Sequence, residues 1–272
     1  MEQFIWLIPL GLAVGIIGTL IGAGGGFILV PILLLIYPSK DPELITSISL
    51  AVVFCNALSG SAAYARMKKI DYKSGLMFAV ATVPGAVLGA ITSSYIPRFY
   101  FNILFGVILV ALAVYLLLRP KNMKSKEHGA DEGGLRRQIT DADGVTHDFT
   151  YKPTIGIVLS LFIGYISSLL GIGGGIIHVP MLVYLLGFPV HIATATSHFV
   201  LVITAFAGSI IHVMDGDLAK NSILVIGLAI GVIFGAQIGA KLSKKVKGNF
   251  IIRGLAIALG LVGIRIIFMS LM

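Results

Sequence analysis

One cysteine, Cys55, is all that 272 residues contain, which excludes an intrachain disulfide and any thiolate metal cluster. Set in an apolar run, it reads as a small packing residue. Charge is almost as scarce. Only 12% of residues are charged against 57% hydrophobic, with a mean hydropathy of +0.99, whereas a soluble globule carries about 25% charged residues. The chain therefore belongs in a membrane, as one compact all-α bundle with no room for a separate soluble enzyme domain. No Asp or Glu lies inside any apolar run, so the carboxylate relays of pumps and the acidic rings of cation channels lose ground. The scattered histidines show no metal-ligand spacing, and neither a metal nor a cofactor is expected. A catalytic membrane subunit, which would need a nucleophile, base or metal cluster, is the weakest reading. Met1 to Phe4 offers no basic residue before the first apolar stretch and no cleavage site, so that segment is expected to stay in place.

Apolar runs occupy residues 4–21, 27–37, 45–65, 75–93, 99–118, 154–171, 176–186, 192–213, 222–242 and 250–271. Each half has the same order: a long run, a glycine break, an eleven-residue run, then three runs of spanning length. An eleven-residue helix extends only about 16 Å, roughly half of a hydrocarbon core of about 30 Å. Each short run reads as the second arm of a hairpin that enters without crossing, the alternative being that flanking residues lengthen it into a full span. A shift of about 149 residues superposes Gly22, Gly24, Gly25, Gly26 and Pro31 on Gly171, Gly173, Gly174, Gly175 and Pro180. Nearby shifts align Ser49 with Ser197, Gly60-Ser61 with Gly208-Ser209, and Gly85 and Gly89 with Gly235 and Gly239. The division expected is 1–118, a linker at 119–152, and 153–272.

A hairpin plus three spans is an odd number of crossings, so the second copy starts on the opposite side and the repeats are inverted. Charge agrees. Arg66, Lys68, Lys69 and Lys73 follow the third run, and Lys241, Lys244, Lys245 and Lys247 follow the ninth. Under this threading they share a face with the 119–152 loop, while Asp41, Glu43, Asp215 and Asp217 take the other. The basic face is assigned to the cytoplasm of a multi-pass plasma-membrane protein. The net charge of +8 thus reflects orientation in a bilayer rather than nucleic-acid binding. The 119–152 loop mixes both charge signs with glycines and lacks an apolar period, so it is expected to be a cytoplasmic linker, partly disordered. Asp141-Ala142-Asp143-Gly144 lacks the remaining ligands of a calcium loop and reads as a turn.

Gly24 to Gly26 and Gly173 to Gly175 can take backbone angles closed to other residues and leave N–H groups bare at a helix start. Those groups, with the positive helix end, suit an oxyanion, and a small anion is the expected cargo. Pro31 and Pro180 are hinge candidates within the short arms. Of the hydroxyl and amide groups on the third and eighth runs, Ser49, Asn56, Thr196, Ser197 and His198 are the contacts expected, though the same groups also bind helices to one another. His178, His198 and His212 are the intramembrane groups that a coupled proton could use, or neutral hydrogen-bonding residues. A homodimer is left open. An anion channel is the rival reading.

Gly18-Thr19-Leu20-Ile21-Gly22-Ala23-Gly24-Gly25-Gly26 with Val30-Pro31, Leu170-Gly171-Ile172-Gly173-Gly174-Gly175 with Val179-Pro180, and Ala195-Thr196-Ser197 resemble the sulfite exporter TauE/SafE family, also called the toluene sulfonate uptake permeases. The likeness covers nearly the whole chain outside 119–152. It implies a permease for sulfite, organosulfonates or related small organic anions, without fixing direction. The copies differ at one position that matters: Ser197 is followed by His198, where Ser49 is followed by Leu50.

Overall fold

A computed structural model describes residues 2–37, 40–118, 134–214, 221–246 and 248–271. Among them, the first half contributes α1 (Glu2–Ile21), α2 (Gly26–Ile36), α3 (Pro42–Arg66), α4 (Tyr72–Ser93) and α5 (Arg98–Leu118). Strands β1 (Leu135–Thr140) and β2 (Thr146–Tyr151) follow, then α6 (Pro153–Leu169), α7 (Gly175–Tyr184), α8 (Val190–Met214), α9 (Ser222–Ser243) and α10 (Gly248–Leu271). Helices dominate because hydrocarbon offers the backbone no partner, and a helix satisfies its own amides and carbonyls. By length and composition, α3, α4, α5, α8 and α9 can cross a membrane. The chain is an all-α, multi-pass membrane protein.

Helix packing repeats between halves. α1 lies along α9 as α6 lies along α4; α3 meets α9 as α8 meets α4; α3 pairs with α8 at the centre and α5 with α10 at the flank. Exchanging α1–α5 with α6–α10 maps this set of contacts onto itself. Glycine makes the long contacts close. A Cβ on Gly11 would stand 2.4 Å from the carbonyl oxygen of Leu228, and one on Gly85 would stand 2.1 Å from that of Leu161. Without a hydrophobic drive between helices in lipid, such backbone proximity supplies the van der Waals attraction that holds the bundle.

The short helices are short as built. α2 has 11 residues and α7 has 10, about 16 and 15 Å, so the lengthened alternative is not realised. Both keep their proline, Pro31 and Pro180, inside the helix.

Within the 119–152 segment read as a linker, the structure adds an element that the sequence reading did not name. Residues 135–151 form an antiparallel hairpin, with Leu135 opposite Tyr151 and Thr140 opposite Thr146. Its inward row is Leu135, Arg137 and Ile139 against Tyr151, Phe149 and His147. A guanidinium and an imidazole in that row break the apolar alternation by which a strand is recognised. Asp141 to Gly144 is the turn, with Asp141 Oδ1 accepting from the amides of Asp143 and Val145, both at 3.0 Å. The stretch 119–133 assigned to the linker lies outside the described residues, as do Asp215, Asp217 and Lys247 of the charge argument.

Gly85→Ala is expected to destabilise the bundle by about 1–3 kcal/mol, as overpacking does, and to lower the thermal midpoint of the purified protein. Gly254→Ala, where a Cβ would meet nothing within 4 Å, should leave the midpoint unchanged or raised.

Candidate functional site

Each glycine break is a short irregular loop. At the first, the amides of Ala23 and Gly24 both turn back to the Gly18 carbonyl, at 2.8 and 3.1 Å. Gly22, Gly24 and Gly25 stand at φ +82°, +72° and +84°; at the second break Gly171, Gly173 and Gly174 stand at +69°, +77° and +90°. These left-handed angles are open to glycine and costly for other residues. Gly25 and Gly174 cap α2 and α7, and their carbonyls accept the amides of Ile28 and Leu29, and of Ile177 and His178. Among the described residues, the amides of Gly25, Gly26 and Phe27 find no acceptor, nor do those of Gly173, Gly174, Gly175 and Ile176.

The two loops lean on each other. A Cβ on Gly26 would lie 2.8 Å from the Gly171 carbonyl oxygen, and one on Gly175 would lie 2.3 Å from that of Gly22. Ser49 on α3 donates to the Gly171 carbonyl at 2.7 Å, and Ser197 on α8 donates to the Gly22 carbonyl at 3.2 Å. The central helices thus grip opposite loops through their matching serines.

Side chains then distinguish the loops. Around the first, Asn56 Nδ2 donates to the Gly24 carbonyl at 2.9 Å, and Thr19 Oγ1 donates to Asn56 Oδ1 at 3.1 Å. His198 Nε2 lies 3.3 Å from Thr19 Oγ1. Since the threonine proton is already given to Asn56, the pair is satisfied with the imidazole proton on Nε2. Tyr64 completes the cluster, donating to the Thr19 carbonyl at 2.8 Å with its ring edge-on to His198. All four side chains are buried.

The second loop opens instead on a narrow cavity, about 180 Å³ of empty space with room for roughly one water. Gly173, Gly174, Gly175, His178, Ser197, Thr204 and Thr82 bring its polar groups; Ile163, Val200 and Leu201 are its apolar wall. The Thr82 and Thr204 hydroxyls meet at 2.7 Å. His178 Nε2 lies 3.3 Å from Ser160 Oγ, while its Nδ1 is buried without a partner among the described residues.

Of the residues selected from sequence, Gly173, Gly174, Gly175, Ser197 and His178 share this cavity. Gly24, Asn56 and His198 meet in the first cluster, with Gly25 and Gly26 in the same loop and Ser49 clamping the opposite one. Thr196 stands apart: its hydroxyl accepts the Asp71 amide at 3.0 Å, where α4 begins. His212 is buried near the end of α8 and does not line the cavity. Thr82, Ser160, Thr19 and Tyr64 were not selected. Thr19 and Ser168 do match under the repeat shift, and a hydroxyl just before each break was the signal available. No group of three or more His, Cys, Asp or Glu among the described residues could hold a metal ion.

The hairpin binds the rim below α3, α4 and α9. Arg137 donates to Asp71 through Nε and Nη2, the latter at 2.6 Å, and Ser74 caps the same carboxylate from its amide and hydroxyl. Burial alone would raise the Asp71 pKa; the hydrogen bonds from Arg137 and Ser74 and the guanidinium charge outweigh it and hold the carboxyl below its ordinary value. Burial is likewise outweighed at Asp141, whose pKa is lowered by the Val145 amide, His147, the Asp143 amide and Lys69. Asp143 reaches Lys244 at 3.2 Å, and Phe149 and Tyr151 pack on Phe188.

The family described as sulfite exporter TauE/SafE is matched over residues 7–266. The chain is 32% identical to the probable membrane transporter protein YunE of Bacillus subtilis, over 98% of each chain. It is 28% identical to a probable membrane transporter protein of Methanocaldococcus jannaschii, over 96% of each, and 26% identical to one of Haemophilus influenzae, over 72% of this chain and 67% of that one. No solved structure gives a significant match.

Because the pKa values of Asp71 and Asp141 are depressed, the stability they lend is present above the carboxylates' unfolded pKa of about 4 and is lost as pH falls through their lower folded values. Amide exchange protection of residues 135–151 should hold from pH 8 to 5 and collapse only below about pH 4. Asp71→Asn should weaken that protection at pH 7, since it leaves Arg137 without its counter-charge.

Proposed function

This chain belongs to the sulfite exporter TauE/SafE family, and from that premise we propose that it is a secondary carrier of a small sulfur-containing anion, sulfite or an organosulfonate, taken up at the second glycine loop as the narrow cavity there widens. The observation that carries the reading is the row of unpartnered amides from Gly173 to Ile176, at the start of α7 and beside the cavity of Ser197, Thr204 and Thr82. Each bare amide in hydrocarbon costs several kcal/mol, and an oxyanion satisfies several at once while meeting the positive end of the helix dipole. Sulfite and sulfonate heads present three oxygens around one sulfur, a shape that converging amides and hydroxyls can share. His178 is the imidazole beside them and the group on which a coupled proton would sit. The names borne by the relatives favour transport over catalysis.

The carrier works by alternating access between two oppositely threaded repeats. Support comes from the self-mapping helix contacts and from two loops that meet backbone to backbone and are each held by a serine. Lys69, Lys244 and the hairpin that binds them mark the cytoplasmic face. Opening to either side requires one serine clamp to release while the other holds.

In proteoliposomes the wild type is expected to accumulate sulfite or sulfoacetate against a gradient; equilibration without accumulation would instead indicate a channel. Thr204→Val should lower uptake about 10- to 100-fold, the worth of a hydrogen bond to a charged group. Gly174→Leu should abolish it, because a side chain there meets Ser167 Oγ at 2.6 Å at a φ of +90°. Uptake of every sulfur anion at wild-type rates by Thr204→Val and Ser197→Ala, the milder variants, would sink the assignment.

A further inference from the structure

On the flank of the bundle, a second hollow lies between α2, α5 and α10, running along α2 from Ile28 to Leu35. It is a partly open hollow of about 540 Å³, open solvent included, walled by Ile28, Pro31, Leu35 and Val262, with Asn102 and Arg265 as its two polar members. Both break the pattern of their surroundings. Arg265 stands within the apolar helix α10, exposed, and pairs with no acidic residue among those described. Asn102 is 8% exposed, yet its Oδ1 has no hydrogen-bond partner. The neighbouring cation, Arg98, is otherwise engaged: it donates to the carbonyls of Leu34 and Lys40 at 3.0 and 2.6 Å and faces Asp41.

A positive charge inside an apolar helix and a buried, empty acceptor are each costly when left alone. Together they describe a ligand with an anionic group for the guanidinium, a hydroxyl donor for the amide oxygen, and apolar substance to cover the isoleucine and leucine walls. The Asn102 amide brings an acceptor and a donor, and its unpartnered Oδ1 is met by a headgroup hydroxyl, which a bare phosphate lacks. We propose that this hollow is a phospholipid site selective for an anionic, hydroxyl-bearing headgroup of the glycerol phosphate type, with its phosphate on Arg265, a glycerol hydroxyl on Asn102 Oδ1 and its acyl chains along α2 and α10. The site is separate from the proposed cargo cavity, and its occupancy does not depend on what is transported.

Native mass spectrometry of the purified protein, offered short-chain phosphatidylglycerol, phosphatidylcholine or free glycerol 3-phosphate, tests this directly. Phosphatidylglycerol should be retained in preference to phosphatidylcholine, which has the phosphate but no donor, and to glycerol phosphate, which has no chains. Arg265→Gln should lower phosphatidylglycerol retention about fivefold, as loss of one cation near a lipid surface does, and Arg265→Lys should keep most of it. Asn102→Leu should reduce the preference over phosphatidylcholine, leaving the part that Arg265 draws from net charge. Equal retention of both lipids by the wild type, equal retention by wild type and Arg265→Gln, or retention of free glycerol phosphate at the level of the lipid would overturn the proposal. So would a change of Arg265→Gln in the ratio of monomer to dimer with lipid count unchanged, which would give the hollow to a second copy of the chain.

Discussion

A backbone amide inside hydrocarbon must find an acceptor, and nearly everything in this fold follows from two places where the chain declines to supply one. An unbroken helix would satisfy Gly25 to Phe27 and Gly173 to Ile176 within itself. Breaking it at left-handed glycines leaves seven amides bare among the described residues. Such a break survives in a membrane only where protein, not lipid, surrounds it. The two loops therefore sit back to back at the centre, each shielded by the other and by α3 and α8, whose serines hold the freed carbonyls of Gly22 and Gly171.

Shielding the centre dictates the periphery. The helices around the loops must come close enough to exclude lipid, and the glycines of α1, α9, α4 and α6 let carbonyls approach where any side chain would collide. The same stripes that a reader takes for ordinary membrane packing thus set the wall that makes the broken backbone tolerable. Because α1 with α9 and α6 with α4 each join one half to the other, the halves share this wall rather than owning separate cores. The hairpin adds a third tie at the rim, from Asp71 and Lys69 of the first half to Lys244 and Phe188 of the second.

The glycine breaks, the short arms and the duplicated order were legible because glycine, proline and run length carry backbone information that survives without coordinates. Ser49 and Ser197 were legible as expected cargo contacts, but not as loop clamps, since a hydroxyl that donates to a carbonyl and one that donates to a ligand look alike in sequence. Thr196 was misplaced by proximity: one residue of helix is 100° of rotation, enough to send it to the Asp71 amide while Ser197 turns inward. The hairpin was illegible because its inward row holds Arg137 and His147, whose partners Asp71 and Asp141 lie across the fold or across the turn. Thr82 and Ser160 escaped notice as isolated hydroxyls in apolar helices, joined to the cavity only by packing.

Duplication gives two loops of one design, yet the residues around them have diverged in one direction. Thr19, Asn56 and His198 form a chain of hydrogen bonds that ends on the Gly24 carbonyl and leaves His198 Nδ1 without a partner among the described residues. The matching positions around the second loop are Ser168, Thr204 and Leu50, and Ser168 Oγ is left without a partner. His178, facing the second loop, matches Leu29 in the first. The first loop is thus fastened by a chain of side-chain hydrogen bonds, and the second faces a narrow cavity beside His178 and Thr204; the Nδ1 atoms of His198 and His178 are both buried without a partner among the described residues. Under the proposed function, the two copies of the break divide the labour: the first holds the frame against which the second meets its ligand. On the reading proposed above, His198, the most conspicuous polar difference between the copies, works as part of the fastening, while His178 and Thr204 of the second copy stand at the cavity to which we assign the anion.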